Sequence, residues 1–317
     1  MLGINRKQLS LADSLVRQSN RQSKTSDFLN RISETIDWFP IEALLIGLYP
    51  SERGRKSYPP LVLFKMLLLQ NFFSLSDPKV EEEINDRLSF RNFLGLSLSD
   101  SVPDETVLVR FRQRIQAHSK EIFNLVNAQL IEKGLIVRSG SIIDATIVEA
   151  TSTPKHSGEK AQDTDAEWTT KNNNSYYGYK SHVCADDANN LIDDFEMTPA
   201  NVHDTNVFEE ILPPTTLSAS ADKAYPTKQR DEYLDKMGIE NRILKKAKRN
   251  KPLSTEDKAL NKSNSAYRSR IERIFAHLKT IFKYRKTRYI GLGKNKAHFA
   301  ILAIAYNLKR TVSILSV

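Results

Sequence analysis

A carboxylate interrupts a run that otherwise reads as a buried strand, Ile142-Ile143-Asp144-Ala145-Thr146-Ile147-Val148. β-Branched residues dominate the run, as they do in strands. An ionised side chain in such a place is costly unless it is paired or holds a metal. The run therefore asks for neighbouring strands, and for either a Lys or Arg partner or a bound cation at Asp144.

The remainder of the chain supplies such a sheet after a helical segment. Residues 1–26 are polar and are expected to be a flexible N-terminus. Over 27–137 the apolar residues recur at helical spacing, beginning with Phe28, Leu29, Ile32 and Ile36. Pro59-Pro60 opens a largely buried helix, Asp77-Pro78 a charged one (PKVEEEINDRL), and Pro103-Asp104-Glu105 a third, TVLVRFRQRI. Proline and acids suit a first turn, where N–H groups lack partners. The third helix turns Leu108, Phe111 and Ile115 to one face and Arg110 and Arg114 to another.

From 138 to 317 the pattern changes. Strands are expected in SGSIIDATIVEA, YGYKSHVCAD, NLIDDFEMTPA, LSASADKAY and IENRILKK, with 151–175 as a long loop. Helices are expected in DTNVFEEIL and TKQRDEYLDKMG, from about Asn264 to Phe282, and from Lys294 to about Leu315. Three strands in hairpin succession, then alternating helices and strands, imply one mixed five-stranded sheet with flanking helices.

Two further acids fall at telling places. Asp222 ends the small-residue strand Leu217-Ser218-Ala219-Ser220-Ala221. Carboxyl ends of strands are where sites form in open α/β sheets, although taken alone it reads first as an exposed loop residue. On the long helix, Arg268, Glu272 and Lys279 share one stripe, apart from the apolar stripe of Ile271, Ile274, Phe275, Leu278 and Phe282. Arg268–Glu272 at i,i+4 is also an ordinary surface ion pair. As a set, Asp144, Asp222 and Glu272 offer hard oxygen ligands for Mg²⁺ or Mn²⁺. Two such ions clamp the attacking and leaving oxygens of a phosphoryl displacement. The chain has no glycine-rich phosphate loop, no G-x-S-x-G and no H-E-x-x-H to supply another mechanism.

Charge separates along the chain. From Lys223 onward 24 Lys and Arg stand against 7 Asp and Glu, whereas the first 222 residues carry 23 against 31. A basic C-terminal third points to a polyanion such as nucleic acid, or to a solvated basic face. The single cysteine, Cys184, excludes a disulfide framework and fits a reducing compartment. The longest apolar run, Leu61 to Leu69, is broken by Lys65 and too short for a membrane span. The chain is expected to be cytoplasmic and without a membrane partner.

In this order the blocks resemble the DDE transposases of bacterial insertion sequences, most closely the insertion-sequence-five group. IIDATIVEA resembles the first Asp block, ADKAY the second, and Arg268, Glu272 and Lys279 the family's R-x3-E-x6-K. YGYKSHVCAD and TPANVHD resemble the segments between, and WFPIEALL, SLSDPKVEEEINDRLSFRNFLGL and VPDETVLVRFRQRI the N-terminal part. A Tyr often stands three residues before the Arg. Here that position is Ser265, with Tyr267 nearby.

The resemblance implies an all-α DNA-binding domain over 27–137 and a ribonuclease-H-like α/β catalytic domain over 138–317. It makes Asp144, Asp222 and Glu272 the catalytic metal ligands, with two Mg²⁺ or Mn²⁺ ions. It also implies double-stranded DNA as partner, a homodimer or higher assembly on it, and association with the bacterial nucleoid. Arg268, Lys279, Arg110 and Arg114 are the DNA-contact candidates. His203 either touches DNA or caps the following helix, for which Asp204 is also well placed. A nuclease without strand transfer and a non-catalytic DNA-binding derivative are the competing readings. Two smaller features stay open. His182 and Cys184 share a strand face, too few ligands for zinc. Phe282, Tyr284 and Tyr289 interleave with Lys283, Arg285, Lys286 and Arg288, either to stack on DNA or as a buried helix-to-loop junction.

Overall fold

Apolar stripes at helical spacing build the first of two units into which the chain divides, residues 1–129 with 299–317. The computed structural model describes residues 23–49, 57–154, 160–247 and 252–316. Most of the segment 1–26 thus lies outside the described residues. Its last residues already join α1 (Lys24–Thr35), which Ser23 caps by accepting the Ser26 N–H. There follow α2 (Phe39–Gly47), α3 (Pro60–Phe72), α4 (Asp77–Asp86), α5 (Leu88–Leu94), α6 (Glu105–Ile115) and α7 (Ser119–Glu132). Helix α3 is buried along nearly its whole length, and α4, α5 and α6 pack around it. The charged segment expected as one helix breaks at Arg87, whose extended backbone ends α4 before α5 begins. On α6, Leu108, Phe111 and Ile115 are buried as expected. The Asp104 carboxylate caps the helix by accepting the Val107 N–H at 2.8 Å.

The second unit, residues 130–298, is a mixed sheet with helices. Its strands are β1 (Ser141–Glu149), β2 (Glu167–Lys171), β3 (Asn174–Asp186), β4 (Ile192–Pro199), β5 (Ser218–Ala221) and β6 (Glu240–Asn241). Among the described residues the sheet has six strands, where five were expected. The extra one, β2, arises within the segment expected as loop, and β6 shrinks to two residues of the expected strand. The order is β2-β3-β1-β5-β6, with β4 also on β3. Strand β1 lies antiparallel to β3 and parallel to β5. Strand β3 is long enough to hold two partners on one edge, β2 along its first part and β4 along its second.

Helices α8 (Phe208–Ile211) and α9 (Lys228–Lys236) pack on one face of the sheet. There Phe208, Ile211 and Leu234 bury Ile143, Cys184, Ala219 and Ala221. The long helix α10 (Thr255–Thr280) packs against β1 and β5. It starts nine residues before the expected Asn264, because the Ser254 hydroxyl accepts the Asp257 N–H at 3.1 Å. Its apolar stripe begins only at Ile271, so periodicity alone misses the polar first turns. The last helix, α11 (Leu292–Ile314), runs from the second unit into the first.

Candidate active site

Parallel pairing of β1 with β5 sets two of the three acids abreast. Ser141 pairs with Ala219, Ile142 with Ser220 and Ile143 with Ala221, so Asp144 and Asp222 follow as the next positions in register. Both are half-buried at the carboxyl end of β5. Ile143 and Ala221 point into the core beneath α8 and α9, so strand alternation turns Asp144 to the other face. The chain following α10 covers that face, where the Tyr284 hydroxyl meets Ser181 Oγ at 3.1 Å. Each Asp carboxylate accepts the N–H of the residue after it, Ala145 at 2.8 Å and Lys223 at 2.6 Å.

Tyr225 lies close to both carboxylates and was given no role by the sequence. Its ring is buried and packs against Phe208, with 5.9 Å between ring centroids. Its hydroxyl has no hydrogen-bond partner among the described residues. Burial raises its pKa, and the charges of Asp144, Asp204 and Asp222 raise it further. The phenol is therefore protonated throughout the neutral range. Its position in ADKAY, three residues after the Asp, was the available signal.

Glu272 sits on α10 beside the buried Ile271 and Ile274, on a helix packed against β1 and β5, and its side chain is exposed. Among the described residues no three His, Cys, Asp or Glu side chains stand close enough to hold a metal by themselves. The pair Asp144 and Asp222 still fits Mg²⁺, which commonly takes one or two protein carboxylates and completes its shell with waters and substrate phosphate. The side chain of Arg268 lies outside the described residues. Lys279 is half-buried. Burial lowers its pKa, the charges of Lys171 and Arg285 lower it further, and Glu149 acts against them.

The other candidates are dispersed. His203 is exposed, and it caps the following 3₁₀ turn itself, Nδ1 accepting the Thr205 N–H at 3.3 Å. Of the two residues placed to cap, His203 takes the role, and Asp204 pairs with Lys180 at 2.8 Å. Arg110 and Arg114 are both exposed on α6 in the first unit, Arg114 stacking 3.9 Å from the Tyr49 ring centroid. Phe282 and Tyr284 are buried, while Lys283, Arg285, Lys286 and Arg288 are exposed. That pattern is the buried junction rather than a stacking platform. His182 is wholly buried, its Nε2 at 2.9 Å from Thr198 Oγ1, and Cys184 belongs to the core.

Residues 136–308 match the family described as Transposase DDE domain, and residues 16–114 match the family described as Transposase domain (DUF772). No solved structure matches the chain.

Proposed function

Because this chain belongs to the DDE transposases, enzymes that act on DNA, we propose that it binds the terminal inverted repeats of its own insertion sequence, cleaves there and joins the freed end to target DNA. The observation that carries this reading is the register of β1 and β5, which sets Asp144 beside Asp222 at a strand end within the matched domain. The sheet order and the antiparallel β3 accord with a ribonuclease-H-like fold. The blocks named above accord with the insertion-sequence-five group.

In this mechanism Asp144 and Asp222 would hold the divalent ions, with the exposed Glu272 on α10 as the candidate third ligand. Divalent ions held there would supply activation of the attacking water and charge stabilisation at the phosphate. Asp144 and Asp222 supply oxygen ligands from adjacent strands, so their spacing is set by the sheet rather than by a loop. Tyr225, held protonated, offers a donor beneath the two carboxylates and no competing negative charge. The water oxygen bonds to phosphorus and the 3′-oxygen leaves, taking a proton to become a 3′-OH. That hydroxyl then attacks a phosphodiester of target DNA, displacing another 3′-oxygen in a direct transesterification. No covalent enzyme–DNA bond enters either step. Arg268 and Lys279 meet phosphate oxygens, and Arg110 and Arg114 present the first unit to the element ends. Two ends must be held together, so the working form is a homodimer or larger assembly on DNA.

The test is incubation of the full chain with labelled duplex carrying the element ends, in Mg²⁺, in Mn²⁺ and with chelator. Metal-dependent nicking at the end, followed by joined products, is expected. Binding without any metal-dependent nick overturns the catalytic reading. Nicking without joining favours the nuclease.

A further inference from the structure

The β2–β3 hairpin extends past the sheet, and its chemistry belongs to no step above. Gly178 of β3 pairs with Glu149 at the end of β1 and with Glu167 at the start of β2. Beyond that row Tyr177 still accepts the Ala150 N–H at 2.8 Å, and from Tyr176 to Asn174 β3 pairs with β2 alone among the described strands. The finger closes in a two-residue turn, Asn172 and Asn173, both left-handed with φ of 52° and 62°. Two adjacent left-handed residues make the tight turn whose twist matches the strands, and Asn tolerates it. The tip side chains Lys171, Asn172, Asn173 and Asn174 are all exposed. Glu167 is the one acid between Glu167 and Gly178.

The base of the finger is basic. The segment after α10 returns beside the end of β1, where the Glu149 N–H donates to the Arg285 carbonyl at 3.1 Å and Lys286 bridges Glu149. Lys279 and Arg285 thus gather near Glu149, within electrostatic range of Lys171. Lys279 feels the charges of Lys171 and Arg285 against that of Glu149, and phosphate is a natural counter-charge for such a group.

Resting on the transposase reading, we propose that the β2–β3 hairpin is a finger that enters the major groove of double-stranded DNA. The amides of Asn172, Asn173 and Asn174 meet base edges, and Lys171, Lys279 and Arg285 take the flanking phosphates. The major groove, about 12 Å wide, admits a two-stranded ribbon, and Asn amides pair with adenine edges there. The reach fits as well. From Asp144 to Glu149, and from Gly178 back to Asn173, the chain covers about 33 Å at about 3.3 Å per residue. One duplex turn is about 34–36 Å. A duplex lying along the strands with its scissile phosphate at Asp144 therefore meets the tip with the same groove, one turn away. That duplex is either the element end or the target.

The test measures binding of the full chain to two labelled duplexes, one carrying the element end and one unrelated sequence standing for target, across a salt series. The double variant Asn172→Gly/Asn173→Gly keeps the left-handed turn and removes the amides. It should weaken binding about tenfold on the duplex the finger reads. The exposed Lys171→Ala should lower the salt slope on that duplex by about one. Loss on the element end alone assigns the finger to the end, and loss on the unrelated duplex assigns it to target. Unchanged affinity and slope on both duplexes, in variants that still nick element ends, overturns the finger and leaves the transposase reading standing. An unaltered chain that binds neither duplex overturns both.

Discussion

At the residue scale, burial decides what a titratable side chain can contribute. His182 is wholly buried on β3, facing Thr198 and within range of Asp204, Lys180 and Glu196. Burial is the leading cause that lowers its pKa to about 4, with Asp204 and Glu196 opposing and Lys180 adding to it. The imidazole is therefore neutral in the folded protein where the unfolded chain takes up a proton, between about 6.5 and about 4. Stability should be level above pH 6.5 and fall as pH drops through that window, at up to about 1.4 kcal/mol per unit. Urea unfolding of His182→Gln at pH 7 and pH 5, beside the unaltered chain, checks this. The variant should lose less stability between the two pH values, and an equal loss would place the proton uptake elsewhere. The same logic separates the acids. Asp144 stood out in the sequence because an acid inside an apolar strand requires a reason. Glu272 did not, because an exposed Glu on a helix requires none.

At the scale of elements, the site depends on how β1 is held between β3 and β5. Gly178 marks the tightest point: a Cβ there would stand 2.2 Å from the Val148 carbonyl oxygen and 2.7 Å from the Ala150 nitrogen. Both are backbone atoms, which cannot rotate away. Gly178→Ala should therefore force β1 and β3 apart at the base of the finger and cost about 2 kcal/mol or more. Chemical denaturation measures it, and a cost under about 0.5 kcal/mol would show that the strands slide without strain. These elements were unequally legible. Strands β1 and β5 could be read because β-branched residues flank Asp144 on both sides in β1 and small residues fill β5, and the position of Asp222 followed from that. Strand β2 could not, because Glu167–Lys171 is exposed along most of its length and carries no apolar alternation. Its signal is the Asn pair Asn172-Asn173 of a tight turn, which lies within the segment expected as loop. The first turns of α10 were hidden likewise, since only the Ser254 cap and the acids Glu256 and Asp257 announce them. Register between β1 and β5 is a long-range property, so the sequence could motivate the meeting of Asp144 and Asp222 without displaying it.

At the scale of the whole molecule, the charge asymmetry and the division into two units describe different things. The basic excess begins at Lys223, within the second unit, while the first unit gathers residues 1–129 and 299–317. Removing the N-terminal residues would strip the closing half of α11 of its own unit, so end recognition is better tested by Arg110 and Arg114 substitutions in the full chain. Among the described residues no helix is long and apolar enough to cross a membrane. The central claim is that Asp144 and Asp222 are the heart of a metal-dependent strand-cleaving site. It is tested most directly by the cleavage rate of pre-bound, labelled element-end duplex in Mg²⁺, with Asp144→Asn and Asp222→Asn beside the unaltered chain. Each variant should bind the duplex as tightly as the parent or slightly more tightly, since a negative charge near phosphate is lost, and should cut it at least about a thousandfold more slowly, a barrier increase of about 4 kcal/mol. Cleavage at the parental rate by either variant would contradict the account.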